Sequence, residues 1–422
     1  EKLEKWLQSP PQMMEKQNDI EILHQKGTGS WLFENDKFTA WQDHPGFLWI
    51  QGQSGAGKSV LCSTVIRKLF DDQQLFTDKN ASPAIAYFYF DFRDEKKQSV
   101  EIALRRMLLQ LSARSTQPYQ TLNEQYKKSS GQNLPNYEQL LQILRELLGN
   151  LGRTYIVFDA LDECKETDYQ RLVELISKLQ SWSGVLLHLL VTSQPRGIFT
   201  ETFEDAACIT LEPQVTEADI RFYVTTQLQD SYKLKKLAKY KEDITNAILD
   251  KSKGMFRLAA CLLMELSQYG LPGKLKETLS GLPDDLYEIY DRFLIPIYQK
   301  HPVYVERLLC FLLFSATPVT LDELDDALAV DISSLNEDSF HPEQRGSAPV
   351  ICEGLDGLVN TVKSEPWHSQ DDHNDQRGTT VHLAHVSVRD YLLSMKFRDR
   401  FKCDVRENNS HNLMAQTCIG YL

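Results

Sequence analysis

Apolar residues follow two different patterns along the chain, and the change comes near residue 212. Before it, short runs that are almost entirely apolar recur: Phe47 to Ile50, Ala84 to Phe90, Thr154 to Phe158, Leu187 to Thr192 and, more weakly, Cys208 to Leu211. Runs of this length, rich in aromatic and β-branched residues, read as strands. Between them lie segments of helical period: Val60 to Phe70, Ile102 to Leu111, Tyr137 to Leu148 and Tyr169 to Leu179. In the last, Leu172, Leu175, Ile176 and Leu179 share one face. Nearly all-apolar strands alternating with helices predict a parallel sheet sandwiched by helices, an α/β fold. Residues 1 to about 46 read as a mostly helical lead-in, with a turn at Lys26-Gly27-Thr28-Gly29-Ser30 and an aromatic run Trp31-Leu32-Phe33.

Beyond residue 212 the strand pattern stops. Thr216 to Leu228 and Ile244 to Tyr269 read as helices, the second continuing through Lys253-Gly254, and Leu282 to Tyr287 opens another near Tyr290 to Tyr298. A compact pattern follows. Val303 to Phe314 is helical, and Thr320 and Glu323 have capping-box spacing at the start of a second helix. Cys352 to Val362 reads as a short helix entering a strand, Val381 to Leu383 as its partner, and Ser387 to Met395 as a final helix. Helix-turn-helix followed by two strands is a winged-helix pattern. The polar stretch Lys363 to Gly378 interrupts the hairpin and reads as a disordered loop.

A chain of 422 residues has room for two or three domains. Its net charge of −13 argues against a general binder of nucleic acid or anionic membrane. The second helix of the winged pattern carries Asp322, Glu323, Asp325 and Asp326, which would repel DNA phosphates. Eight cysteines are scattered singly with no C-x-x-C, as suits buried thiols in a reducing compartment. No segment has the length and apolarity of a membrane span, and the first residues do not form a signal peptide. A cytoplasmic protein is expected. The absence of an initiator methionine and the abrupt end at Tyr421-Leu422 suggest a fragment.

One stretch dominates the chemistry. Gly52-Gln53-Ser54-Gly55-Ala56-Gly57-Lys58-Ser59 fits G-x-x-x-x-G-K-[ST], placed between a strand and a helix that opens with Val60. The glycines let backbone N–H groups close around phosphate oxygens at a helix N-terminus. Lys58 would reach the β- and γ-phosphates, and the Ser59 hydroxyl would ligate Mg²⁺. Downstream, Thr154 to Phe158 runs into Asp159-Ala160-Leu161-Asp162-Glu163. A carboxylate at the end of an apolar strand can hold Mg²⁺, and an acid three or four residues on can orient the attacking water. Asp159 is therefore assigned to the metal, Asp162 and Glu163 to water activation. The bland alternative for the latter two is favourable charge at the start of a helix. Val191-Thr192-Ser193-Gln194-Pro195-Arg196 ends the next strand, where Gln194 or Arg196 could sense the γ-phosphate.

This order of motifs resembles the NACHT-type NTPases of the signal-transducing (STAND) class, and most closely fungal NLR-like proteins with a nephrocystin-3-like NTPase module. Gly27 to Leu32, Phe47 to Ile50, Gly254-Met255-Phe256, Leu282-Pro283 with Tyr287 and Tyr290, and Leu383 to Leu392 carry the likeness across about residues 20 to 395. The resemblance implies an ASCE P-loop sheet of order 5-1-4-3-2, followed by an all-α helical domain and a winged-helix domain. It divides the chain into a helical lead-in (1–27), a NACHT-like domain (28–212), a helical domain (213–300), a winged helix (301–398) and the start of a C-terminal helical or repeat region (399–422). It places base or ribose contacts at Thr28 and Gly29, a base contact at Phe256, and a β-phosphate contact at His385. Three residues depart from the family pattern. Gln194 stands where many relatives have a sensor arginine, Phe256 where related switches often have proline, and Ala160 where glycine is usual.

The function so implied is a switch that binds ATP or ADP with Mg²⁺, hydrolyses ATP slowly, and controls oligomeric assembly in defence, non-self recognition or cell-death signalling. ATP is favoured over GTP because no N-K-x-D motif is present. Self-association on activation is expected, with effector and sensor domains, such as ankyrin or WD repeats, outside this chain. The competing reading is a nucleotide-binding scaffold with negligible hydrolysis. A P-loop kinase or motor fits poorly, since no second-substrate or lid motif follows the core.

Overall fold

The computed structural model describes residues 2–8, 10–75, 82–269, 272–332, 339–363 and 378–422. The chain divides into two compact units, Glu1–Thr226 with Lys253–Phe256, and Gln227–Ser252 with Arg257–Leu422.

The first unit opens with helices α1 (Lys2–Trp6), α2 (Met14–Leu23) and α3 (Asp36–Asp43), with a 3₁₀ turn at Ser30–Glu34. There follow β1 (Gly46–Gln51), α4 (Lys58–Gln74), β2 (Ala84–Tyr89), α5 (Val100–Ser112), α6 (Gln120–Lys128) and α7 (Tyr137–Asn150). Then come β3 (Thr154–Asp159), α8 (Tyr169–Ser181), β4 (Leu187–Ser193), α9 (Gly197–Thr202), β5 (Ala207–Thr210) and α10 (Pro213–Asp230), whose end passes into the second unit. All five strands are parallel, in the order β2-β3-β4-β1-β5, as the family resemblance implied. Every residue of β2, β3 and β4 is buried, which explains why these strands read as unbroken apolar runs. β5 lies at the edge and buries only Ile209, hence its weaker signal. Helix α6 was not foreseen; it buries only Leu122 and so leaves no apolar stripe in the sequence.

In register the carboxyl ends of the strands lie level. Tyr89 pairs with Asp159, Phe158 with Val191, and Ile50 with Thr192. Ligands of open parallel sheets bind outside this edge, where the loops after β1, β2, β3 and β4 meet.

One predicted helix is two. The apolar period of Ile244 to Tyr269 continues unbroken, yet the backbone breaks between α11 (Lys241–Ser252) and α12 (Phe256–Tyr269). Lys253 and Gly254 both take positive φ, 46° and 83°, which ends α11. Thr216 of α10 fixes the break, its hydroxyl donating to the Gly254 carbonyl at 3.0 Å.

The second unit continues with α13 (Leu275–Ser280), α14 (Leu286–Lys300), α15 (Pro302–Phe314), β6 (Val319–Thr320), α16 (Leu321–Leu328), α17 (Ser347–Gly354), β7 (Val359–Lys363) and β8 (Thr379–Leu383). β6, β8 and β7 form, in that order, a small antiparallel sheet. The capping box at α16 is present: the Glu323 N–H donates to Thr320 Oγ1 at 3.2 Å, and the Thr320 N–H to Glu323 Oε2 at 2.8 Å. Two of the α16 carboxylates serve the fold, Asp325 accepting the N–H groups of Gly346 and Ala348 and Asp326 pairing with Arg345. The loop expected over Lys363 to Gly378 falls almost wholly outside the described residues. The expected final helix, Ser387 to Met395, instead stops as α18 (Val386–Leu392), and the Ser394 hydroxyl caps a separate α19 (Met395–Phe401). Helix α20 (Glu407–Tyr421) follows and packs on α15, with the Ser410 hydroxyl 3.3 Å from the Cys310 sulfur. All eight cysteines are free thiols, and among the described residues no helix is long and apolar enough to cross a membrane.

Candidate functional site

The loop between β1 and α4 closes as its sequence demands. Gly55 and Gly57 hold φ of 80° and 95°, a region open to glycine, and Gly57 is the cap from which α4 starts. Lys58 turns back over the loop, donating to the carbonyls of Gly52 at 2.9 Å and Gln53 at 3.0 Å. Burial pulls its pKa below the ordinary lysine value, while Asp162, Asp159 and Glu163 act to restore it. Ser54 Oγ, in the same loop, is buried without a hydrogen-bond partner. Main-chain N–H groups at a helix start, a buried ammonium and an unpartnered hydroxyl are a donor set suited to a polyphosphate.

Asp159 ends β3 beneath this loop and is almost fully buried. Its Oδ1 accepts the Thr192 hydroxyl of β4 at 2.6 Å, and Ser59 of α4 lies near enough to favour its charged form. Burial raises its pKa above the usual carboxylate value, against the opposing effects of Thr192 and Ser59. Two hard-oxygen side chains, Ser59 and Asp159, beside a phosphate loop fit Mg²⁺, which prefers oxygen ligands and keeps most of its waters. The same Thr192 hydroxyl accepts the Ala160 N–H at 2.9 Å. Ala160 itself sits at φ 55°, ψ 55°, the left-handed conformation that makes glycine usual there.

The next turn carries the two further acids. Gln194, at the end of β4, donates to both Asp162 oxygens, its backbone N–H to Oδ1 at 2.9 Å and its Nε2 to Oδ2 at 2.7 Å. The two residues assigned separately to water activation and phosphate sensing are thus one bonded pair. Glu163 Oε2 accepts the Phe92 N–H at 3.2 Å, from the loop after β2. Its surroundings raise its pKa to about 8: burial first, then the charge of Asp91, with Lys16 opposing. A carboxylate tuned this far upward beside a buried lysine is a marker of a functional site. Arg196 is exposed at the start of α9 and joins none of these contacts.

The flanks of the P-loop are also built within this unit. Thr28 is buried, its hydroxyl donating to the Gln25 carbonyl at 2.9 Å. Gly29, at φ 77°, donates its N–H to Asp219 Oδ2 at 2.8 Å, and Trp31 Nε1 donates to the same oxygen at 3.0 Å. A Cβ on Gly29 would lie 2.7 Å from Leu61 of α4, so this loop presses on the P-loop helix. Phe256, half-buried, reaches the other side; a Cβ on Gly57 would lie 3.5 Å from its ring. His385 belongs to the second unit, where it caps α18. Its Nδ1 accepts the Ser387 N–H at 3.1 Å and meets the Ser387 hydroxyl at 2.7 Å, and that hydroxyl lies 2.8 Å from the Tyr290 hydroxyl.

Four residues of the site were not singled out from the sequence: Thr192, Asp91, Lys16 and Asp219. Asp91 follows an apolar strand as Asp159 does, and that same signal could have marked it. Lys16 and Asp219 act across long sequence separations and leave no local signal.

A parallel sheet with a P-loop after β1 and an acidic end on β3 defines a P-loop NTPase of the ASCE type. Residues 27–194 match the family described as Nephrocystin 3, N-terminal. Over that region the chain is similar to the P-loop NTPases of the NACHT-type STAND class. It is 24% identical over 386 residues to vegetative incompatibility protein HET-E-1 of Podospora anserina, covering 87% of this chain and 26% of that protein. It is 32% identical over 151 residues to azaphilone pigments biosynthesis cluster protein L of Monascus ruber, covering 34% of this chain and 29% of that protein. These matches thus span little more than a quarter of either relative. Among solved structures, a STAND protein with a tetratricopeptide repeat sensor from Pyrococcus horikoshii overlaps at a TM-score of 0.39 and 14% identity, covering 89% of this chain and 43% of that one. Cdc6p of Pyrobaculum aerophilum overlaps at 0.34 and 15%, covering 92% and 96%.

Proposed function

We propose that this chain is the nucleotide-controlled switch of a larger signalling protein: it binds ATP or ADP with Mg²⁺, turns ATP over slowly, and couples the bound nucleotide to self-association. The observation that carries the reading is the convergence of Lys58, the Ser59–Asp159 pair, Asp162 and Glu163 on one sheet edge. Bound Mg²⁺ would supply charge neutralisation across the phosphates. Lys58 would bind phosphate oxygens, Ser59 and Asp159 would hold the metal, and Glu163 would take or orient a water proton. Gln194, which carries no charge and is already bonded to Asp162, favours slow turnover. Thr28, Gly29 and Phe256 flank the loop where a base and ribose would extend.

In this reading residues 213–300 form the helical domain and 301–398 a winged helix, supported by the order α15, β6, α16, α17, β7, β8 and the small antiparallel sheet. The name of the Podospora relative supports a role in non-self recognition or defence, with sensor and effector segments supplied by other parts of the protein. A cytoplasmic setting accords with eight unpaired thiols. The second reading, a scaffold holding nucleotide without hydrolysis, is favoured by the same Asp162–Gln194 bond.

Calorimetric titration with Mg²⁺·ADP and Mg²⁺·ATP tests the first step, with phosphate release and light scattering before and after ATP for the next two. Binding without release would leave the scaffold; no binding would end both readings.

A further inference from the structure

Helix α2, from the lead-in before the P-loop, is pinned to the nucleotide-binding core by polar side chains. Gln17 is buried and donates through Nε2 to the Ser63 carbonyl at 3.1 Å and the Ser63 hydroxyl at 3.0 Å, on α4. Its Oε1 accepts the Tyr89 hydroxyl from the end of β2. Met13, just before α2, takes the Tyr89 N–H on its sulfur at 3.4 Å. One turn along, Lys16 donates to Asp91 Oδ2 at 2.7 Å.

Asp91 is 2% exposed and carries a second partner. Arg93 donates to it through its backbone N–H at 3.1 Å, Nε at 2.8 Å and a terminal nitrogen at 2.7 Å. Burial would raise the pKa of Asp91, but Arg93 and Lys16 hold it well below the usual range. Between Asp91 and Arg93 lies Phe92, whose N–H holds Glu163 Oε2 at 3.2 Å. Three consecutive residues therefore connect the lead-in helix to the carboxylate read above as hydrolytic.

We propose that Lys16 is a positioning residue for ATP hydrolysis: by its ion pair with Asp91 it holds the 91–93 segment whose Phe92 N–H fixes Glu163, so the docking of α2 sets the working state of that carboxylate. The proposal rests on the reading of Glu163 given above. Its physical content is a charge balance. Facing Glu163 are Lys16 from α2, Asp91 and Arg93 from the loop after β2, Asp162 from the turn after β3, and Lys58 from α4. Lys16 lowers the Glu163 pKa and Asp91 raises it. Removing the lysine strips one of the two cations ion-paired with Asp91, leaving Arg93 and the more distant Lys97, and shifts Glu163 further toward its protonated form. A segment upstream that lifted α2 would have the same effect.

The test is the pH dependence of single-turnover ATP hydrolysis by the full chain, with ADP calorimetry and a melting curve for each variant. Lys16→Met should move the rising limb to higher pH by about half a unit or more, about threefold in rate on that limb, with ADP affinity unchanged. Lys16→Arg should restore the wild-type limb. Asp91→Asn removes the opposing charge and should move the limb the other way, which keeps the test decisive if Lys16→Met fails to fold. A limb that stays at the wild-type pH in Lys16→Met, or in Asp91→Asn where the first does not fold, overturns the proposal while Glu163→Gln remains inactive. If Glu163→Gln turns over like wild type, or wild type does not turn over at all, the underlying reading falls and the proposal with it.

Discussion

Gln194 holds Asp162 at both carboxylate oxygens, once through its main-chain N–H and once through its side-chain amide. The two contacts separate under mutation. Gln194→Ala keeps the backbone bond and loses only the amide, whereas Asp162→Ala leaves both donors without their acceptor. A hydrogen bond to a charged group contributes about 1.5–3 kcal/mol, less where water can replace it. Asp162→Ala should therefore lower the urea midpoint more than Gln194→Ala, and the double variant should cost less than the sum of the singles. Additive losses would show that the pair is not coupled.

Lys58→Ala should weaken Mg²⁺·ADP binding by at least about 1.5–3 kcal/mol, roughly ten- to hundred-fold, because it removes the charge-assisted phosphate contact proposed above. The same change deletes a buried ammonium whose charge Asp159, Asp162 and Glu163 now share. Calorimetry at several salt concentrations measures the loss, and unchanged ADP affinity in a folded variant would sink the phosphate role.

Glu163→Gln should retain nucleotide and lose turnover, since the phosphate loop is untouched while the acid proposed to handle the water proton is gone. It should also change the pH dependence of stability. The folded-state pKa of Glu163, about 8, lies above its ordinary 4.5, so the folded form binds this proton more tightly than the unfolded chain. The stability this proton provides is present below about pH 4.5 and is lost as pH rises through 8. Nucleotide-free wild type should thus lose more melting temperature between pH 5 and pH 8 than Glu163→Gln. Parallel curves would overturn the shift.

What was legible in the sequence follows from how local each cause is. The P-loop works through consecutive residues, and Asp159 through an acid at the end of an apolar run, so both could be read directly. The strand order came from the family resemblance, and the register agrees with it. The Lys253–Gly254 break was illegible because the apolar period of α11 and α12 continues across it; only the positive φ values separate them. The Lys16–Asp91 pair joins residues 75 positions apart, and the Asp162–Gln194 pair 32. No periodicity encodes such pairings; the sheet brings them together.

Ala160 shows how a departure from the family pattern can be tolerated. Its left-handed backbone costs an L-residue about 1–2 kcal/mol. Against that, the buried methyl contributes about 0.8 kcal/mol, and alanine restricts the unfolded chain by about 0.4–1 kcal/mol relative to glycine. These terms nearly cancel, so Ala160→Gly should leave stability within about 0.5 kcal/mol of wild type. Ala160→Val, β-branched in the same conformation, should destabilise strongly. A glycine variant much more stable than wild type would mean that the strain outweighs the methyl group.

Gly254 allows no such exchange. At φ 83° an alanine there would be strained, and its Cβ would lie 2.6 Å from Pro213 Cα and 2.8 Å from Thr216 Oγ1. The first of these is backbone at the start of α10 and cannot swing aside. The second is the hydroxyl that bonds the Gly254 carbonyl, so moving it would also break the contact that fixes the turn. Left-handed strain of about 1–2 kcal/mol and overpacking of about 1–3 kcal/mol add in the same direction. Gly254→Ala should therefore cost several degrees of melting temperature, and by displacing the Lys253–Phe256 segment it should withdraw Phe256 from beside Gly57. Gly149→Ala is the matched control: it lies within α7 with nothing within 4 Å of its Cβ, and should hold or raise stability. Comparing the two melting curves isolates the turn from the general effect of adding a methyl group. Equal melting temperatures in the two variants would show that the Lys253–Gly254 break can relax, and that the turn does not depend on glycine.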